Sequence, residues 1–394
     1  RQSAEADEVL QAGVEKLAEE WDEEVMPIHR ELLGLQEIAR SRFPAWDASW
    51  ISAWMPPDES ERVIPVGELK LSLPDLAGGM PENARFKLEG PIEFTVPFSL
   101  GFAERASLMI DGDASKAAGT INEVILRLLS SHPAGRAIFT LIDPVGLGKD
   151  FAGLMHLGDY EETLIHGRIW TQTTQIEERL AELNEHIEKV IQMYLRNEFA
   201  TLDEYNGHAG TVAEKHRFVV ISGFPAAFSE TAAKRLLSIA TSGARCGVYL
   251  LIHRDPKQGT IEPALAEALE RACIRLVEEG DGYRVTSLPA GADRLLPQLP
   301  PKGDLETALV HRLGKASVDS NRVEVPFSSI APPESEWWTQ GTGDELRVPI
   351  GRSGAKKFQW LALGKGTRQH ALVAGKTGSG KSTLFHVMIT NLAL

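Results

Sequence analysis

Eight residues at 375–382, GKTGSGKS, have the types and the spacing of a phosphate-binding loop. Gly375, Gly380, Lys381 and Ser382 occupy the fixed places of the pattern G-x-x-x-x-G-K-[ST]. Glycines let several backbone N–H groups turn toward phosphate oxygens, and the helix that follows directs its positive N-terminal end at the same charge. In such a loop the lysine contacts the β- and γ-phosphates, and the serine hydroxyl joins the shell of a magnesium ion.

The pattern predicts that the chain binds ATP together with Mg2+, with Ser382 as the magnesium ligand. An apolar run at 370–374 is typical of the strand that precedes such a loop, and residues 382–394 are typical of the helix that follows it. The predicted nucleotide-binding residues are Gly375, Lys376, Thr377, Gly378, Ser379, Gly380, Lys381, Ser382 and Thr383.

An earlier loop, GDASKAAGTI at 112–121, resembles this one in context but lacks its lysine. If Gly112 matches Gly375, then Ala118 stands in the place of Lys381. Lys116 is nearby, but it is not expected to reach the same point. The earlier loop therefore predicts a degenerate copy of the phosphate site.

Acidic residues also distinguish the earlier loop, because Asp111 and Asp113 place negative charge where phosphate would sit.

The other half of such a site is a carboxylate pair that ends a buried strand, orders magnesium and activates water. In the matching run, RFVVISGFP, those places hold Ser222 and Gly223, which have no carboxylate to hold the metal or to accept a proton at neutral pH. Both losses predict that the first module does not hydrolyse ATP.

Short apolar runs alternate with helical patterns in the middle of the chain, which predicts an α/β fold with a mostly parallel sheet covered on both faces. The predicted strands are residues 106–111, 137–143, 217–222 and 247–253. The predicted helices are residues 120–129, 174–199 and 229–243.

Residues 4–40 carry apolar residues at helical spacing with a strongly acidic polar face. Pro27 interrupts this pattern and predicts a kink or two helices, with the proline in the first turn of the second. Two interpretations remain open for the region, because apolar spacing alone cannot separate them. It is either part of a coiled coil or a helical hairpin packed on the next domain.

After residue 320 the sequence repeats the kinds of segment found in the first module, which indicates a second module. These patterns divide the chain into four regions. The predicted regions are an acidic helical region at 1–45, a degenerate module at 60–290, a proline-rich linker at 291–320 and the beginning of an active-type module at 321–394.

The net charge of −14 argues against a protein that coats nucleic acid with its whole surface, although a basic channel would be compatible with it. Cys246 and Cys273 show no metal or redox spacing. No apolar run approaches the roughly 18 residues of a membrane span. A cytoplasmic location is expected, with membrane association through segments outside the chain left open. Because the first residue is Arg1, we interpret the chain as part of a longer protein.

Several segments together resemble the FtsK/SpoIIIE family of P-loop motors, related to the HerA type. The resemblance is strong over 320–394 and weak over about 90–260. It rests on HALVAGKTGSGKSTLFHVMITNLAL, on AIFTLIDPVGLGKDF and on RFVVISGFPAAF, which is similar to the family's Walker B strand without its acids. His253 and Arg254 fall near the family's sensor position and alter its usual polar pattern. The resemblance implies a RecA-like core, assembly into a hexameric ring and ATP-driven movement of a polymer through the pore.

Three functions are compatible with this resemblance. A translocase of double-stranded DNA is favoured, because the acidic coiled-coil-like N-terminal region differs from the span and linker expected of a secretion motor. The alternatives are a protein-export ATPase of the type VII secretion kind and a regulatory scaffold without turnover. The catalytic acids of the second module are expected beyond Leu394, so the chain alone is predicted to lack ATPase activity.

Overall fold

A computed structural model describes residues 2–102, 106–210, 213–318, 320, 326–353, 357–376 and 378–394. The chain divides into two compact units. The first unit comprises residues 1–188 and 215–320, and the second comprises residues 189–214 and 321–394.

The first unit is built on a sheet whose nine strands, among the described residues, run in the order β2-β1-β9-β8-β7-β3-β6-β5-β4. The strands are β1 (Val63–Ser72), β2 (Glu93–Gly101), β3 (Leu108–Asp111), β4 (Ala137–Ile142), β5 (His216–Phe224), β6 (Val248–Arg254), β7 (Ile274–Glu279), β8 (Gly282–Val285) and β9 (Arg294–Pro297).

Five neighbouring strands, β7-β3-β6-β5-β4, are mutually parallel. All residues of β3 and β4 are buried, as expected for parallel strands covered on both faces. The strand that carries RFVVIS is separated from β3 by β6. The α/β class and the RecA-like parallel core that were predicted are therefore confirmed. The remaining pairs, from β7 through β2, are antiparallel and extend the sheet on one side.

Helices form at the three predicted places, 120–129, 174–199 and 229–243, although the α-helix that begins at Thr173 ends at Lys189 and continues as a π-helix to Leu195. Among the described residues, four further α-helices of the first unit were not predicted. The helices of the first unit are α1 (Gln2–Glu20), α2 (Met26–Arg42), α3 (Ala48–Ala53), α4 (Leu73–Ala77), α5 (Ala114–Ser131), α6 (Thr173–Lys189, whose last residue falls in the second unit), α8 (Glu230–Ser242), α9 (Pro263–Ala272) and α10 (Asp304–Ala316). Helix α7 (Leu202–Ala209) lies in the second unit. None of the described helices combines the length and the apolar character needed to cross a membrane.

Pro27 is accommodated by a π-helical turn. Trp21–Val25 forms this turn between α1 and α2, and the proline lies in the first turn of α2, as predicted. Backbone angles on both sides of the turn stay helical, so the chain does not form a hairpin here. Helix α2 packs on the edge strand β2, where Gln36 donates to the Thr95 hydroxyl at 2.6 Å. The coiled-coil interpretation of α1 stays a prediction.

The predicted linker at 291–320 is wrong, because this segment contains two elements of the first unit. Strand β9 pairs with β1 and β8, and α10 buries Leu309, Val310 and Leu313. Prolines flank a strand of only four residues and hide it from a pattern search, although its neighbour α10 is amphipathic.

A buried ion pair on α5 holds Trp46, which lies in the segment that precedes the sheet. Glu123 and Arg127, one turn apart on α5, are joined by a 2.8 Å contact with almost no solvent exposure. Trp46 donates to the second oxygen of Glu123 at 2.6 Å, and the Arg127 guanidinium lies 3.7 Å from the centre of the Trp46 ring. Burial raises the pKa of Glu123, and the charge of Arg127 opposes that rise. Every charge of the pair is thus matched inside the unit.

Replacing Glu123 by alanine should lower the free energy of unfolding by about 3–5 kcal/mol, because Arg127 would remain buried without its partner. Urea unfolding measures this change. Glu230→Ala is the matched control, since Glu230 forms the same i,i+4 pair with Lys234 on an exposed helix surface. Equal destabilisation by the two substitutions would contradict the assignment.

Among its described residues, the second unit contains one hairpin, two α-helices, a π-helical segment at Val190–Leu195 and two short 3-10 turns. Strands β10 (Leu346–Ser353) and β11 (Lys357–Leu363) are antiparallel, and α11 (Lys381–Ala393) packs on β10. Asn391 of α11 donates to the carbonyl of Pro349 at 2.9 Å. The other helix is α7 (Leu202–Ala209).

Candidate nucleotide-binding site

The loop at 375–380 leads directly into the N-terminus of α11. Gly378 and Gly380 have positive φ angles of 82° and 83°, which glycine adopts without steric cost. Gly375 lies close to a side chain, because a Cβ there would lie 2.4 Å from the Ser379 hydroxyl oxygen, which would have to move. Gly378 and Gly380 thus have backbone conformations that favour glycine, and Gly375 lies in close contact with Ser379.

Lys381 is the first residue of α11, and its side chain folds back over the loop. Its Nζ donates to the carbonyl oxygens of Gly375 at 2.6 Å and Lys376 at 2.7 Å. Gly380 precedes the helix and offers no side chain to cap it. The backbone N–H groups of the first turn, which includes Ser382 and Thr383, can therefore serve an anionic ligand.

Two predictions for this region are not confirmed. Thr377 lies outside the described residues. The predicted strand at 370–374 is wrong, because these residues form no strand and Leu372 is 94% exposed. A buried parallel strand needs hydrogen-bonded neighbours, and in the described part of the chain no strand pairs with this run.

The counterpart loop of the first unit is shorter than the match of Gly112 with Gly375 predicted. Strand β3 ends at Asp111 and α5 begins at Ala114, so only Gly112 and Asp113 connect them. Ala114, and not Ala118, is therefore the first helical residue, the place that Lys381 has in α11. Ala118 lies buried in the helix, one turn beyond the loop. The equivalence drawn from equal loop lengths was wrong, yet neither residue is a lysine.

The N-terminus of α5 is capped by its own chain. One carboxylate oxygen of Asp113 accepts hydrogen bonds from the backbone N–H groups of Ser115 at 3.0 Å and Lys116 at 3.1 Å. These donors are the ones that a phosphate would use. The negative charge predicted at this position is present and acts as a helix cap.

The sequence predicted that Asp111 places negative charge at the phosphate position of the loop. In the structure, two arginines bind Asp111 and neutralise this charge. Arg254 contacts both carboxylate oxygens of Asp111, at 2.6 and 2.7 Å, and Arg275 contacts one of them at 2.7 Å. Both arginines also bind Glu270 of α9. We call these four residues the charge cluster. Burial alone would lower the pKa of Arg254, but hydrogen bonds to Asp111 and Glu270 outweigh this effect and raise the pKa.

A β-bulge occupies the place of the missing catalytic acids. The register between β5 and β6 shifts after Ile221, and Gly223 adopts a φ of 75°. The Ser222 hydroxyl donates to a carboxylate oxygen of Asp150 at 2.5 Å. The backbone N–H of Gly223 donates to Nδ1 of His253 at 3.2 Å. Both residues thus take part in internal hydrogen bonds, and no metal-binding group of three or more His, Cys, Asp or Glu side chains occurs in the described residues.

His253, predicted near a sensor position, connects the bulge to the loop. Its Nδ1 accepts from Gly223, and its Nε2 therefore donates to the carbonyl of Gly112, at 3.2 Å. Sequence reasoning did not find Asp150 or Arg275, because their partners Ser222 and Asp111 lie 72 and 164 residues away along the chain. Glu270 is only 5 and 16 residues from its two arginine partners, but no motif marks that spacing.

The match with a known family falls on the C-terminal part of the chain. Residues 335–394 match the model of the FtsK/SpoIIIE family, and this segment includes the whole loop. This segment of the chain is therefore similar to the FtsK/SpoIIIE family. Comparison with curated proteins gives no match.

Several solved structures resemble the chain at a distance. EssC (ATPases 2 and 3) from Geobacillus thermodenitrificans has 13% identity and a TM-score of 0.49, over 86% of this chain and 65% of that one. The cytoplasmic domain of the type VII secretion ATPase EccC from Thermomonospora curvata has 17% identity and a TM-score of 0.44, over 89% and 44%. The pCW3 conjugation coupling protein TcpA, with ATPgS, has 18% identity and a TM-score of 0.39, over 60% and 57%. The chain thus spans less than two thirds of each, and the fold assignment depends on the strand order itself.

Replacing Asp111 by asparagine should lower the free energy of unfolding by about 2–4 kcal/mol, because the two arginines would then share Glu270 as their one anion within the charge cluster. Asp113→Asn makes the same chemical change two residues away and should have little effect, since asparagine caps helices as well as aspartate does. Denaturant titration of both variants measures the two changes in the free energy of unfolding. A larger loss from Asp113→Asn would contradict this account.

Proposed function

We propose that residues 321–394 begin a module that binds ATP with Mg2+, and that the whole protein is an ATP-driven translocase of the FtsK/SpoIIIE type. The observation that carries the proposal is the sequence GKTGSGKS leading into the uncapped N-terminus of α11, inside the family match. A helix N-terminus, glycine N–H groups and a lysine together form the donor set that phosphates require. Lys381 then binds the β- and γ-phosphates, and Ser382 binds the magnesium ion.

The first unit has a different role in this proposal. Its loop is two residues long, its helix is capped by Asp113, and a bulge at Ser222 and Gly223 stands in place of catalytic acids. We propose that it regulates or braces the active module and does not turn over nucleotide. The proposed polymer is double-stranded DNA, moved through a ring of subunits, and a protein substrate is the alternative.

Lys381→Ala should weaken the binding of ATP–Mg2+ by at least about tenfold, because the ammonium group is the main cation facing the phosphates. Calorimetric titration of the chain with ATP and Mg2+ measures this. Lys365→Ala is the matched control, since Lys365 is an exposed lysine outside the loop. Equal affinity of the Lys381→Ala variant and the wild type would refute the proposed site.

The same preparation tests the turnover proposal. After Ser382 the chain contains no Asp or Glu that could activate water, so steady-state phosphate release should not exceed that of the Lys381→Ala variant. Lysine-dependent release by residues 1–394 would contradict this.

Double-stranded DNA should stimulate ATP hydrolysis by the full-length protein, and the stimulation should fall steeply between about 50 and 200 mM salt, because binding to phosphates releases counterions. A coupled ATPase assay with linear duplex DNA measures it. Stimulation by a peptide substrate in the absence of a response to DNA would favour protein export instead.

A further inference from the structure

The carboxylate of Glu278, near the end of β7, lies directly against the short loop of the first unit. Its Oε2 accepts a hydrogen bond from the backbone N–H of Asp113 at 2.6 Å. Its Oε1 accepts one from the ammonium group of Lys116 at 3.3 Å. One carboxylate therefore receives both a backbone N–H group of the loop and the nearest lysine.

The loop is shaped to admit this carboxylate. A Cβ at Gly112 would lie 2.6 Å from both the Cβ and the Oε2 of Glu278, so glycine at this place is what lets the two segments approach. The carbonyl of Gly112 is held by His253 at 3.2 Å. The close approach is thus built into the backbone and does not depend on the side chain of Glu278 alone.

Lys116 connects the loop to the turn between β7 and β8. Beyond Glu278, its ammonium donates to the carbonyls of Gly280 at 2.9 Å and Gly282 at 3.4 Å. It also lies 5.4 Å from the centre of the Tyr283 ring. This lysine is fully engaged by the β7–β8 hairpin, as the Lys381 ammonium would be by a nucleotide.

We infer that Glu278 is a built-in anion that occupies the phosphate position of the first unit's loop and excludes free phosphate and nucleotide from it. A backbone N–H group and a lysine ammonium beside a helix N-terminus are the donors that bind phosphate. Here a carboxylate from a strand 165 residues further along the chain satisfies them. This inference does not depend on whether the loop at 375–383 binds nucleotide.

Hydrogen exchange at residues 112–116 tests the inference on the full chain. In Glu278→Gln, exchange of the Asp113 amide should accelerate by about tenfold or more, because the neutral amide oxygen is a weaker acceptor than the carboxylate and the amide NH2 cannot accept from Lys116. Glu279→Gln is the matched control, since Glu279 is the next residue and pairs with Arg284 at 3.5 Å on the surface. No acceleration in Glu278→Gln, or equal acceleration in both variants, would overturn the inference.

Inorganic phosphate then distinguishes a stand-in for phosphate from an ordinary hydrogen-bond acceptor. In Glu278→Ala, phosphate at tens of millimolar should slow exchange at 112–116 again, because the freed donors accept it, whereas the wild type should not respond. Failure of phosphate to slow exchange in this variant would overturn the inference. So would protection of the wild-type loop by phosphate or by ATP with Mg2+.

The same exchange measurement keeps the two proposals separate. Protection of residues 376–382 by ATP with Mg2+ reports on the proposed nucleotide site, and residues 112–116 report on Glu278. If Glu278→Ala and Glu278→Gln fail to fold, Gly112→Ala displaces the carboxylate from the loop side and should accelerate exchange of the Asp113 amide in the same way. Unchanged exchange in Gly112→Ala would overturn the inference.

Discussion

The charge cluster of Asp111, Arg254, Arg275 and Glu270 is the interaction on which the first unit's altered site depends. It joins β6, β3, β7 and α9 where β3 ends, so it fixes the point from which the loop to α5 departs. Two acids face two arginines, and their charges cancel within the cluster. Once the end of β3 is set by internal ion pairs, the neighbouring Glu278 and His253 can reach the loop from fixed positions.

The two loops differ in how the positive charge at the helix N-terminus is neutralised. In each, a helix begins beside a lysine, and partial positive charge gathers at the helix N-terminus. The first unit neutralises that charge with its own carboxylates, Asp113 at the cap and Glu278 above the loop. Among the described residues, no side chain caps the N-terminal N–H groups of α11, and the Lys381 ammonium donates to two backbone carbonyls and a serine hydroxyl. The two loops therefore differ in the source of the anion. The first unit supplies its own carboxylates, and the loop before α11 leaves its N–H groups for an external anion.

Much of the fold could be predicted from local sequence, and the site in the first unit could not. The continuous apolar runs at β3 to β6 and the proline at position 27 are local signals, and the structure agrees with both. The short strand β9 was missed because prolines flank it, and the register of the first loop was missed because a helix cap moved the start of α5 to Ala114. The arginines that bind Asp111, and the Glu278 carboxylate that accepts from the Asp113 N–H, lie more than one hundred residues away, at distances no spacing rule covers.

The length of the first loop has a further consequence for how such a unit could change. Gly112 and Asp113 alone join β3 to α5, whereas six residues precede Lys381 in the other loop. A substitution can exchange a side chain, but it cannot add backbone, and a nest of inward-facing N–H groups needs several successive residues. No point mutation, therefore, can convert the first loop into the second. Only an insertion could do so, and the charge cluster and Glu278 would resist it by holding the ends of the loop where they are.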